Sequence, residues 1–189
     1  MLNHLRPAFT LVVVLTVLTG LVYPLTINGI AQAVMQTKAN GSLIERDGAV
    51  VGSMLIGQNF TADRYFWPRP SATGPGPYNA AASSGSNLGT TSAKLRDRVA
   101  ADVARLKVTG MTSPMPADAV TTSGSGLDPH ISPAFAEAQV PRIALARGLE
   151  PAVVASLVKQ QIEHPAFGII GEARVNVLQL NLALDALKM

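Results

Sequence analysis

From Pro7 to Thr37 the chain reads PAFTLVVVLTVLTGLVYPLTINGIAQAVMQT and carries no charged residue. The hydrocarbon core of a bilayer is about 30 Å thick and takes about 20 apolar residues at helical rise, so this run is long enough to cross it with some tilt. The pattern predicts one transmembrane helix with its apolar centre at Ala8 to Leu25. Thr10, Thr16 and Thr19 can return their hydroxyls to backbone carbonyls, and Tyr23 suits the headgroup boundary. Pro24 bends the helix or ends its straight part. The rival is a cleaved leader, with Arg6 before the run and Ala31-Gln32-Ala33 as a small-x-small site. Against it, the run is longer than an ordinary leader core, and that site lies far past it. Arg6 on one side and Lys38 and Arg46 on the other leave orientation undecided by charge.

The remainder has the length of one domain with its own core. Arg6 is the one basic residue ahead of the end of the apolar run, so the rest carries 14 basic against 12 acidic residues. Without a clustered basic stripe this balance excludes a nucleic-acid surface. The absence of cysteine excludes disulfides, thiolate metal sites and cysteine nucleophiles. His4, His130 and His164 are too scattered for metal-ligand spacing, so no metal site is expected.

Along the chain, Asp47-Gly48 between LIER and AVVGSMLI predicts a β-hairpin, with Gly52 as a bulge and Gly57 at its end. Residues 61–91 concentrate Pro, Gly, Ser and Asn yet also hold Tyr65, Phe66, Trp67 and Tyr78. That combination predicts an ordered loop pinned by buried rings, either on its own core or on a partner. Ser92 caps a helix to Lys107, closed by Gly110. Ser123-Gly124-Ser125-Gly126 permits a tight path with exposed amides, but it lacks the spacing and lysine of a phosphate-binding loop. Asp128 and His130 have no third partner that would make a catalytic or metal set, and no catalytic residue is assigned. Ser132 and Pro133 start a helix to Arg147, with a kink at Pro141, ended by Gly148. A second arm runs from Pro151 to about His164. Phe167 to Gly171 is an apolar turn, Arg174 to Val177 a short strand or helix entry, and Leu178 to Leu187 an amphipathic helix with Leu180, Leu184 and Leu187 on one stripe.

The segments LRPA, TGLVYPL, NGSLI, GSMLIGQNF, YFWPRPSA, PYNAAASSGSNLG, VTTSGSGLDPHISP, QVPRIALARGL and VNVLQLNLALD span nearly the whole chain in order. Together they resemble the KdpC family, the C subunits of Kdp-type potassium-transporting ATPases. The resemblance implies an α+β protein with a single N-terminal transmembrane helix at 1–37. One mixed, mainly helical extracytoplasmic domain follows at 38–189, with a short β-hairpin or small sheet. It implies a bacterial inner-membrane location and a bilayer contact. The implied partners are a channel-like potassium-translocating subunit, a P-type ATPase subunit and a small accessory peptide. ATP and potassium then belong to the complex, with none bound by this chain, which lacks the phosphorylation motif DKTG. The implied role is that of a non-catalytic chaperone that raises the ATP affinity of the hydrolytic subunit.

An extracytoplasmic domain cannot touch cytosolic ATP, so the effect is expected to be allosteric. Docking is expected through Tyr65, Phe66, Trp67, Arg69 and Tyr78 and through Ser123, Gly124, Ser125, Gly126, Leu127 and Asp128. The alternatives are an extracytoplasmic lid at the potassium entrance and a direct nucleotide site in the Ser/Gly loops. The latter would use Ser83, Ser84, Gly85, Ser86, Asn87, Leu88 and Gly89, a stretch loosely similar to an ABC-type signature but without its terminal Gln.

Overall fold

In a computed structural model the chain is described at residues 2–112 and 114–187. It divides into two compact units, Met1–Val51 and Gly52–Met189, so the first strand lies in the same unit as the apolar helix.

The first unit is dominated by the apolar run. Helix α1 (Leu2–Val17) passes through a π-helical turn (Leu18–Val22) into α2 (Tyr23–Val34), and the short α3 (Gln36–Ala39) follows. Asn3–Val34 is long and apolar enough to cross a membrane, and its apolar window is fully exposed in the chain. The π turn has a local cause. Pro24 has no N–H and its ring crowds the carbonyl four residues back, so the preceding turn widens and Tyr23 N–H donates to the Leu18 carbonyl oxygen. Thr10 and Thr19 donate to the carbonyls of Arg6 and Leu15 as expected, and Thr26 does the same to Val22. Past α2, Gln32 and Asn40 pair their side-chain amides at 3.0 and 3.2 Å, fastening the helix end. Strands β1 (Leu43–Arg46) and β2 (Ala49–Ser53) form the expected hairpin, which ends at Ser53 rather than at Gly57, whose N–H donates to the Leu127 carbonyl instead. Asp47 and Gly48 both take positive φ, 53° and 76°, the twist that suits a two-residue hairpin turn.

The second unit is mainly helical: α4 (Ala93–Val108), α5 (Pro133–Arg147), α6 (Pro151–Gln160) and α7 (Val177–Ala186). Its sheet is β3 (His130–Ile131), β5 (Arg174–Asn176) and β4 (Ile162–Glu163), antiparallel with β5 central; Val175 faces Ile131 on one side and Ile162 on the other. The core gathers Phe135, Val140 and Ile143 of α5, Val154 and Val158 of α6, Val175 of β5 and Leu180 and Leu184 of α7. Ser92 and Ser132 cap α4 and α5 by accepting from Leu95 and Phe135 N–H, and Gly148 closes α5 in the left-handed conformation. Asp118 holds the second cap in place, accepting from Ser132 N–H at 2.6 Å and from its hydroxyl at 2.9 Å. Helix α5 runs continuously through Pro141.

The second arm is shorter than the pattern predicts. Helix α6 ends at Gln160 rather than near His164, because Ile162 and Glu163 leave the helix to pair with Val175 and Arg174. Arg174–Asn176 is the central strand, and the Asn176 side chain caps α7 by accepting from Gln179 N–H.

Candidate partner-docking surface

The aromatic segment is anchored from below. Phe66 is fully enclosed and Trp67 nearly so, which makes both part of the core. Tyr65 to Trp67 belongs to no sheet, yet its buried backbone groups are paired. Asn181 of α7 accepts from Phe66 N–H at 2.8 Å and donates to the Phe66 carbonyl at 3.0 Å. Gln139 of α5 does the same for Trp67, at 2.7 and 3.1 Å. These two amides, 1% and 2% exposed for Gln139 and Asn181, stand in for neighbouring strands.

Two arginines complete the anchor. Arg142 lies 3.8 Å over the Trp67 ring and donates to Gln139 Oε1 at 2.7 Å, to the Tyr65 carbonyl at 3.0 Å and to the Asp63 carbonyl. Burial, with Arg105 adding and Asp63 opposing, brings its guanidinium down to about 10, so it remains cationic at neutral pH. Arg147 binds the Arg64 carbonyl and Asp185, both at 2.7 Å, and Asp185 also accepts from the Tyr65 hydroxyl.

Above this anchor, two neighbouring segments converge with a third about 40 residues further along the chain. Arg69 pairs with Asp128 at 3.0 Å and donates to the Thr121 and Thr122 carbonyls. Ser71 Oγ donates to the Gly126 carbonyl at 2.7 Å and accepts from Tyr78 N–H, while the Tyr78 hydroxyl donates to the Arg69 carbonyl at 2.7 Å. Ser84 N–H and the Ser83 hydroxyl both donate to the Ser125 carbonyl at 3.0 Å, and Gly57 N–H donates to the Leu127 carbonyl. The 65–78 loop, the start of the 83–89 stretch and the 123–128 loop are therefore one knot.

Gly126 sits at its centre with φ 68°. A β-carbon there would lie 2.6 Å from Thr73 Cγ2 and 2.8 Å from the Ser84 carbonyl oxygen. Within the knot, Ser123 Oγ accepts from Gly126 N–H and Ser125 Oγ from Leu127 N–H. Gly124, Ser125, Asn87 and Gly89 are exposed, and Ser123, Leu127, Ser86 and Leu88 half-buried.

Electrostatics tie the knot to the sheet. Burial opposes ionisation of Asp128, but hydrogen bonds from His130 and Arg69 outweigh it and hold its carboxyl below the usual range. Burial first, and the Asp128 charge second, push the Tyr78 phenol above its ordinary value despite Arg69, so it stays a donor. Because the folded value of Asp128 is depressed, its stabilisation is complete above the unfolded carboxyl pKa of about 3.9 and is lost as pH falls through the lower folded value. The thermal-midpoint difference between wild type and Asp128→Asn is expected to be largest at neutral pH and to shrink toward zero on acidification; a difference independent of pH would contradict this role.

A groove of about 780 Å³ beside the knot is lined by Arg69, Asp128, His130, Glu172 and Arg174 among others. Among the described residues no group of three or more His, Cys, Asp or Glu could hold a metal ion. Gln139, Asn181 and Asp185 are absent from the expected set, while Arg142 and Arg147, whose spacing of five does not require a shared face, both reach the backbone of residues 63–65. A signal existed for the first two: Gln139 follows Phe135 by four on the apolar face of α5, and Asn181 lies between Leu180 and Leu184 on α7.

Comparison with known proteins matches the chain to the family described as KdpC, the c chain of the K+-transporting ATPase, over residues 5–186. The chain is 58% identical to the potassium-transporting ATPase KdpC subunit of Methylobacterium nodulans, over 99% of this chain and 98% of that one. It is 56% identical to the KdpC subunit of Allorhizobium ampelinum, over 98% and 97% of the two chains. For that of Paraburkholderia xenovorans the identity is again 56%, over 100% and 99%. With agreement at this level from end to end, the chain belongs to the KdpC family of potassium-transporting ATPase subunits.

Proposed function

We propose that this subunit is a non-catalytic scaffold of an ATP-driven potassium uptake complex in the bacterial inner membrane. Helix α1–α2 is its single-pass anchor, and the unit from Gly52 onward lies on the extracytoplasmic side. Its partners are the channel-like subunit, the P-type ATPase subunit and the small accessory peptide. The chain raises the ATP affinity of the hydrolytic subunit from a distance, by binding one conformation of the assembled pump better than another.

One observation carries this reading: the first two serines of the 83–89 stretch and two amides of the 123–128 loop are spent inside the knot rather than turned toward a phosphate. The Ser83 hydroxyl, Ser84 N–H, Gly126 N–H and Leu127 N–H all have partners inside the knot. A surface so fastened suits rigid protein docking better than nucleotide capture. Docking would use the rim of the knot, the exposed Gly124 and Ser125 with the half-buried Ser123 and Leu127, and the loop around Tyr78. Phe66 and Trp67 would act from beneath by holding that rim in place.

The test uses the cysteine-free background. Ser125→Cys in intact cells should react with a membrane-impermeant thiol reagent when the other subunits are omitted and be protected when they are present. In the purified complex, Arg69→Ala should raise the KM for ATP by about fivefold, at the low end of allosteric couplings. Labelling of Ser125→Cys only after lysis would refute the topology, and an unchanged KM would refute the coupling.

A further inference from the structure

Between β4 and β5 the chain makes a tight turn whose large side chains all point away from the fold. Phe167, Ile169 and Ile170 are 93%, 83% and 62% exposed. The turn is ordered by its own backbone. Ala166 N–H donates to the Ile170 carbonyl at 2.9 Å and Ile170 N–H to the Ala166 carbonyl at 3.0 Å, while Gly168 N–H reaches the Pro165 carbonyl. Phe167 takes a φ of 55°, a left-handed conformation that bulky residues rarely adopt and that asparagine tolerates far better. An aromatic ring fully in water on a backbone it disfavours has no account within this fold.

We infer that Phe167, Ile169 and Ile170 form a preorganised knob that inserts into an apolar pocket on another protein subunit of the ATPase assembly. The inference rests on the docking role proposed above and locates a second contact for it. Three observations favour a protein over lipid as the occupant. The relatives are named as subunits, so partner chains exist. The charged residues that flank the turn in sequence are Glu163, Glu172 and Arg174, and Arg174 is paired with Glu163 at 2.9 Å, whereas a bilayer-seeking tip carries an excess of Lys and Arg beside its apolar residues. Glu172 and Arg174, just beyond the turn, line the same groove as Arg69 and Asp128, so knob and knot border one continuous surface. A few rigid apolar anchors of this kind carry most of the energy of many interfaces.

The test uses the full complex. With a photoreactive phenylalanine analogue at position 167 and, separately, at position 125, a crosslink from 167 to another protein subunit is expected. The double variant Phe167→Asn with Ile169→Gln should retain the other subunits about tenfold less well through detergent washing, as expected for losing two anchors. Its own unfolding midpoint should be equal to wild type or higher, since Asn suits the turn; this separates lost docking from lost folding. Crosslinks from 167 to lipid alone, or undiminished retention, would overturn the knob. A crosslink from 125 without one from 167 would overturn the knob and leave the docking role standing. Failure at both positions would remove both, and a crosslink from 167 alone would keep the knob and discard the Gly-rich loop as a contact.

Discussion

Replacing Asn181 by leucine is expected to destabilise the Gly52-onward unit by about 3–5 kcal/mol, a large share of the roughly 5–15 kcal/mol that holds a domain folded. Leucine fills a similar volume but leaves both the N–H and the carbonyl of Phe66 buried and unpaired, each costing about 1–3 kcal/mol. Gln139→Leu should be at least as damaging, since it orphans Trp67 N–H and carbonyl and takes an acceptor from the half-buried Arg142 guanidinium. Trp67 is the only tryptophan, so its fluorescence during urea unfolding reads the affected segment directly. The midpoint should fall with little change in slope. A loss below about 1 kcal/mol in both variants would mean that water can reach these groups and that the amides are not the anchor.

The second large effect lies at Gly126. Alanine there must adopt a left-handed φ of 68° and place a β-carbon 2.6 Å from Thr73 Cγ2 and 2.8 Å from the Ser84 carbonyl. The backbone oxygen cannot swing aside as a flexible side chain could, so the knot must open. Overpacking typically costs about 1–3 kcal/mol and the backbone conformation about 1 more, for a total of about 2–4 kcal/mol. Gly124→Ala is the control in the same loop: a β-carbon there meets nothing within 4 Å. Thermal unfolding should separate the two variants clearly. If the proposed docking holds, Gly126→Ala should also weaken subunit retention in the complex, because the rim of the knot loses its shape. Equal behaviour of the two variants would place the knot's rigidity elsewhere.

Much of the architecture was legible because its signals are local. An uncharged run of sufficient length specifies a helix able to cross a membrane without reference to any other residue. Asp47-Gly48 imposes its own turn, and Ser92, Ser132 and Gly148 mark helix ends through bonds to residues a few positions away. The family resemblance likewise rests on short segments read in order. Where a distant partner competes with a local preference, the pattern misleads: α6 stops at Gln160 because pairing of Ile162 with Val175 takes over from helical propensity.

The candidate site divides along the same line. Composition alone marked the 61–91 loop as ordered, since flexible linkers have little use for four aromatic rings. What holds those rings was decided by contacts over long separations: Phe66 to Asn181 across 115 residues, Trp67 to Gln139 across 72 and Arg69 to Asp128 across 59. The apolar span, the hairpin, the capped helices and the family are written in short stretches of chain. That the 65–78, 83–89 and 123–128 segments form one knot, that Phe66 faces inward and that Phe167 faces water follows from the fold as a whole. A side chain's burial and a backbone group's partner depend on which distant segment closes over it, and no local periodicity encodes that.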